Sequence, residues 1–247
     1  AGRPLGSWRR FFQLSMTARA LGLVLPRGLS TLGGKSVGLR ALGVPLQRSL
    51  WMVMVDNAFD LGLLGLLILP GVLYFQGVSP LLLLGFGVCV LALAAGVVWW
   101  GTAPGRLAPL WRWLRHWPWL AQKLNLTDEK RVIPLPPPPA ALRILGVTFV
   151  LNLSIALGYF AIARAIGLTA DAGLFLASFP ITQLSLVVAI APGGLGIFDM
   201  GWVGLLRLGG LAETAVLSFV IAQRAYIFVI VLLLAGSSWL LGFTDQS

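Results

Sequence analysis

The stretch "LLLLGFGVCVLALAAGVVWW" (residues 81–100) carries no charged side chain over its whole length. A run of this kind matches the ~20 apolar residues that take a helix across the hydrocarbon core of a bilayer. With no water at that depth, every backbone N–H and C=O must find a partner inside the segment, so the run is read as a helix. Three more runs have the same character: "LWMVMVDNAFDLGLLGLLILPGVLYF" (50–75), "ALRILGVTFVLNLSIALGYFAIARAIG" (141–167) and "LAETAVLSFVIAQRAYIFVIVLLLAGSSWLLG" (211–242). The last is longer than a minimal span and is expected to tilt. Over the 247 residues only 11% are charged and 58% are hydrophobic, against roughly 25% charged in a soluble domain. The chain reads as an all-α, polytopic membrane bundle whose solvent is lipid.

The net charge of +10 would suggest nucleic acid in a soluble chain, but nothing here resembles a nucleic-acid module. All Lys and Arg except Arg164, Arg207 and Arg224 lie in residues 1–49 and 101–143. The helical hairpin over 50–100 puts both basic regions on one side of the membrane, which the positive-inside rule makes the cytoplasm. The loops at 76–80 and 168–172 have no Lys or Arg and are expected outside. Anionic headgroups are the natural partners of the basic segments. The single cysteine, Cys89, and single histidine, His116, exclude an internal disulfide and a Cys- or His-rich metal cluster. No cofactor is expected.

Four regions follow. Residues 1–49 are basic and hold apolar pieces too short to span, read as interfacial or re-entrant helices broken around "LPRGLSTLGGK" (25–35). Residues 50–100 form the first transmembrane hairpin. In residues 101–141, "RLAPLWRWLRHWPWLAQKL" places Arg112, Arg115 and His116 on one helical face and Leu107, Leu110, Trp111 and Leu114 on another, the pattern of an interfacial helix. It is followed by a polyproline spacer, "PLPPPP" (134–139). Residues 142–247 form the C-terminal membrane half.

That half contains "IAPGGLGIFDM" (190–200), a proline, three glycines and an aspartate in one of the most apolar regions of the chain. Non-helical backbone at bilayer depth survives only where it is buried in protein or lines a wet cavity. Gly193, Gly194 and Gly196 are therefore expected at the tip of a helix–break–helix hairpin formed with "LFLASFPITQLSLVVAIA" (174–191). Asp199 falls in the first turn of the second arm, where free N–H groups favour an acid or an anion. Arg224 sits mid-helix, so it is expected to face the interior and pair with an acid: Asp199 first, Asp56 or Asp60 second. Arg164 is expected to snorkel from a helix end. Arg207 and Glu213 flank the "LGGL" turn as interfacial residues.

A related pattern occurs near the N-terminus. There Pro26, Gly33, Gly34 and Lys35 precede a short apolar arm and then a helix carrying Asp56, Asn57 and Asp60. Broken helices at corresponding positions of two halves point to a transporter-like binding site. If the two hairpins dip from opposite faces, the halves are inverted.

These residues resemble the transmembrane domain of the lysylphosphatidylglycerol synthases, a flippase-like family, over roughly residues 10–242. In that family a "PGGLGxxE" motif precedes a helix containing an Arg. "APGGLGIFD" fits with Asp199 in place of Glu, and "AQRAYIF" supplies Arg224. The N-terminal half of the family has an "LPxxxGGD"-type break and a helix with an acid and an Arg. "LPRGLSTLGGK" fits with Lys35 in place of the acid, and "VDNAFD" fits with Asp56 for Glu and Asn57 for Arg. The family has further helices ahead of residue 1, so the resemblance implies an N-terminally incomplete chain. It also implies a bacterial or archaeal plasma membrane, and translocation of lipids or lipid-linked precursors without the synthase chemistry.

The leading expectation is a flippase-like protein that moves an anionic or lipid-linked substrate between leaflets. The expected contacts are Arg224, Asp199, the hairpin glycines, Asp56, Asp60 and Lys35. The alternative is a non-transporting accessory subunit of a larger membrane complex, which the Trp-rich segment and the altered N-terminal motif suit. A membrane enzyme would need paired catalytic groups, and only Asp56 and Asp60 (i, i+4) offer a pair; the chain is read as not an enzyme.

Overall fold

Runs of Leu, Val and Ala without polar interruption form helices here because nothing in lipid competes for their backbone hydrogen bonds. A computed structural model describes residues 33–41, 43–103, 136–188 and 195–243, together with 16, 17, 20 and 106. Among these the regular structure is helical throughout. The elements are α1 (Lys35–Ala41), α2 (Leu46–Phe75), α3 (Pro80–Thr102), α4 (Pro138–Ala165), α5 (Ala172–Val188), α6 (Ile197–Leu208) and α7 (Glu213–Phe243). Four of them, α2, α3, α4 and α7, are long and apolar enough to cross a membrane.

Proline and glycine mark the boundaries. Pro80 opens α3 and Pro138 opens α4, where a missing N–H costs nothing and φ is already helical. The last prolines of "PLPPPP" thus belong to the first turn of α4 and not to an extended spacer. Four helices end on the same device. Gly43, Gly77, Gly167 and Gly210 have φ between +79° and +85°. Each glycine N–H donates to the carbonyl three residues back, and the apolar residue after it donates to the carbonyl five back, as in Gly210 to Arg207 and Leu211 to Leu206. This paired turn satisfies carbonyls that a helix end would otherwise leave bare.

The turns fold the chain into antiparallel neighbours. α3 returns along α2, and α5 returns along both α4 and α2. Gly71 marks a close α2–α5 approach, since a Cβ there would lie 2.6 Å from the Ala177 carbonyl oxygen. At the same end Tyr74 Oη donates to Asp171 Oδ2 at 3.1 Å. From that end α5 runs back along α2, and its 17 residues cover about 25 Å. Its far end is therefore about level with residue 60, at mid-height of α2.

α6 then retraces α5. Gly201 lies against Thr182, and Gly209 lies against Leu174. α5 and α6 are thus a re-entrant hairpin whose open end is level with the C-terminus of α2. Residues 189–194, including Gly193 and Gly194, are outside the described residues. The Gly43 turn before α2 and the Gly210 turn before α7 stand at opposite ends of the bundle, so the α1–α2 and α6–α7 units run in opposite directions, as the inverted reading expects.

The core lies in the C-terminal half. Tyr159, Phe175, Phe179, Phe198, Trp202 and Phe219 join α4, α5, α6 and α7. The Trp202 ring is 5.1 Å from that of Tyr159 and 5.3 Å from that of Phe219, both edge-on, a favoured aromatic arrangement. A smaller cluster around Leu63, Ala94 and Leu145 joins α2, α3 and α4.

Gly33 and Gly34 form a wider turn that leads directly into α1, and α1 lies along α2. The residues before Gly33 in the expected break, and the amphipathic Trp/Arg segment over 107–124, are outside the described residues.

Candidate functional site

The second arm of the hairpin begins at Gly196, whose φ of +88° and ψ of −70° lie in a region that side chains avoid. Its N–H donates to Asp199 Oδ2 at 3.2 Å, so the first-turn carboxylate covers one of the free donors of α6. Asp199 Oδ1 accepts from Arg224 Nε at 2.8 Å. The guanidinium carbon also lies 5.4 Å from the centre of the Phe198 ring, within cation–π range. The two side chains are 16% and 21% exposed, so the pair is sheltered but reachable. Each charge would be costly alone in the bilayer, and the pairing neutralises both. Arg224 is carried on the face of α7 that Val216, Phe219 and Gln223 anchor in the core. The expected first partner of Arg224 is the observed one.

In the first unit Lys35 Nζ donates to Asp56 Oδ2 at 2.7 Å, with the side chains 41% and 51% exposed. One turn on, Asp60 Oδ1 accepts from Asn152 Nδ2 at 2.8 Å, and the same amide nitrogen donates to the Thr148 carbonyl. Asp56 and Asp60, the second-choice partners of Arg224, are thus bonded to Lys35 and Asn152.

The two units share a pattern of polar positions. Aligning them on the turn glycines Gly43 and Gly210 carries Arg40 onto Arg207, Asp56 onto Gln223 and Asn57 onto Arg224. In each unit an ion pair joins the first turn of the short arm to the middle of the long helix, and in these two pairs the charges are exchanged. The first has its cation on the arm and its acid on the long helix; the second has the reverse. Through the α5–α6 register, Asp199 is about level with residue 63 of α2, so the two pairs differ in height by about 10 Å, with Asp60 and Asn152 between. The structure therefore gathers Lys35, Asp56, Asp60, Asp199 and Arg224 into one belt of heights near the middle of the bundle. Gly33 and Gly34 lead into this belt through α1, and Gly196 enters it at the start of α6.

Arg207 Nη1 and Glu213 Oε2 form an exposed pair at 3.1 Å beside the Gly210 turn, and Arg164 is exposed in the last turn of α4, both as expected. Sequence reasoning missed Asn152. Its signal is an amide in the middle of "VTFVLNLSIALG", as conspicuous there as a charge. Thr182 and Gln183 on α5 are buried polar residues of the same kind. Among the described residues no group of three or more His, Cys, Asp or Glu could hold a metal ion.

The family model described as the lysylphosphatidylglycerol synthase TM region matches residues 5–235. The chain belongs to that family and is an integral membrane protein. No curated protein and no solved structure matches it.

Proposed function

We propose that this member of the lysylphosphatidylglycerol synthase transmembrane family moves the headgroup of an anionic or lipid-linked substrate between leaflets. The observation that carries the reading is the sheltered Asp199–Arg224 pair, set at mid-height beside the tip of a re-entrant hairpin. A headgroup crossing a bilayer must shed its water, and the cost falls if a polar interior replaces that water. Arg224 would supply the charge-assisted contact to an anion and the free N–H groups of the α6 N-terminus would add to it. Asp199 holds the Arg in place until the anion competes for it. No bond is made or broken, so no catalytic group is assigned.

The distribution of the described basic residues supports a sidedness. Arg40, Arg48, Arg106 and Arg143 stand toward the end where α2 begins, against Arg164 and Arg207 at the other end. The reading takes the first end as the cytoplasmic one.

The test is reconstitution into vesicles with a trace of head-labelled anionic lipid and a membrane-impermeant quencher. Wild-type protein should raise the quenched fraction above half, and Arg224→Ala should return it to the protein-free level. Equal rates for wild type and protein-free vesicles overturn the reading. If a stoichiometric set of other membrane proteins also accompanies the chain out of its native membrane, the accessory-subunit reading replaces it.

A further inference from the structure

Pro180 divides α5 into two unlike halves. Before it, Leu174, Phe175 and Phe179 are buried in the core. The Phe179 ring is 6.1 Å from that of Tyr159, and the Phe175 ring is 5.3 Å from that of Phe219. This half is also fastened at its start, where Tyr74 bonds Asp171 and Leu174 fills the space over Gly209. After Pro180 the sequence turns to Thr182, Gln183 and Ser185, and the core contribution is the partly buried Leu184 and Leu186.

The joint between the halves is soft. Proline has no N–H, so the Leu176 carbonyl loses its helical partner, and the ring presses on that carbonyl and kinks the helix. Two side chains compete with the ladder just beyond it. Thr182 Oγ1 donates to the Phe179 carbonyl at 2.9 Å and Ser185 Oγ to the Thr182 carbonyl at 2.6 Å, back-bonds of the kind that bend helices. Pro70 removes a backbone bond from α2 at about the same level, since its neighbour Gly71 lies against Ala177.

The soft half lies against the helix that carries Asp199. Thr182 and Ser185 face Gly201, where a Cβ would be 3.3 Å from Thr182 Cγ2 and 3.7 Å from Ser185 Oγ. Glycine offers no side chain to interlock, so this contact is flat. Asp199 is two residues before Gly201 and the arms are antiparallel, so the far end of the soft half meets the level of Asp199. α6 itself is held in the core by Phe198, Trp202 and Leu206, and α7 by Val216 and Phe219.

We propose that Pro180 is the hinge of a gate: residues 181–188 bend away from Gly201 and uncover the Asp199–Arg224 pair, which α6 and α7 hold still. The bending half is roughly 12 Å long, and a turn of about 20° at the proline carries its far end about 4 Å, wide enough for water or a small anion. The motion stands independently of the translocation reading, which gives the opened space its ligand.

The test is the rate at which an anionic, water-soluble methanethiosulfonate modifies single cysteines in the purified full chain, in a Cys89→Ser background. Ser185→Cys probes the bending half, and Ser178→Cys, at a fully buried position, probes the anchored half. Ser185→Cys should react at least about tenfold faster, as local opening without global unfolding requires. Adding Pro180→Ala, which returns an N–H to the Leu176 carbonyl, should slow Ser185→Cys several-fold and leave Ser178→Cys unchanged. Gly201→Ala, which wedges a methyl against Thr182, should speed Ser185→Cys and decides the matter if Pro180→Ala does not fold. An unreactive Ser185→Cys, equal rates at the two positions, or a Ser185→Cys rate indifferent to the deciding variant overturns the gate. Inorganic phosphate should slow Ser185→Cys by occupying the opened space. A rate that responds to Pro180→Ala but not to phosphate supports the hinge and overturns the anion-site reading of Arg224.

Discussion

At the scale of single residues the Asp199–Arg224 bond decides most. Truncating one partner of a sheltered ion pair leaves the other charge stranded, a loss of about 3 kcal/mol. Asp199→Asn and Arg224→Met should each lower stability by that order in detergent unfolding titrations. The double variant should cost well below the sum, which measures the coupling. A double variant that costs the full sum would mean the two side chains act independently. Lys35→Met should cost distinctly less in the same titration, because its pair with Asp56 is about half exposed. The Arg224 partnership was legible in the sequence, since a mid-helix Arg in lipid has to find an acid and Asp199 lies in the first turn of the adjoining helix. The Asp60–Asn152 bond was not. Hydropathy says how deep a residue sits, not which way round its helix it points, and an amide in an apolar run announces a need without naming its partner.

At the scale of elements, small residues set how closely helices approach. Gly71→Ala would drive a Cβ into the Ala177 carbonyl, backbone that cannot rotate away, so it should destabilise by about 1–3 kcal/mol. Gly62→Ala, in the same helix with nothing within 4 Å, should be neutral or stabilising by up to about 1 kcal/mol. A thermal melt of the two variants checks both, and equal melting temperatures would argue against the α2–α5 contact. The spans were legible to within a few residues because length and apolarity alone define them. Their ends shifted where turn chemistry took over, with Pro138 and Pro139 recruited into α4. The re-entrant course of α5 and α6 could be suspected from "PGGLG". Its depth follows only from the contacts at Gly71, Gly201 and Gly209, which record helix-to-helix distances that a one-dimensional pattern does not hold.

At the scale of the whole molecule the two short-arm units face opposite ways. In a Cys89→Ser background, single cysteines at Gly43 and at Gly210 should react with an impermeant maleimide from opposite sides of sealed vesicles, and a cysteine at Gly77 should follow the one at Gly210. Labelling of positions 43 and 210 from the same side would refute the opposed arrangement. With the units opposed, exchange of the ion-pair partner in one unit need not be matched by the other. The first unit can remain closed by Lys35 and Asp56 while the second meets its ligand.

The closeness of the ion-pair partners along the chain has a consequence for how the protein is made. Asp199 and Arg224 are 25 residues apart, and Lys35 and Asp56 are 21 apart. Each pair therefore spans one helix–turn–helix, the length of chain that leaves the ribosome almost as a unit. A nascent hairpin can close its own pair at the insertion machinery before it enters lipid, so neither the arginine nor the aspartate has to wait, charged and alone, for a distant segment to be synthesised.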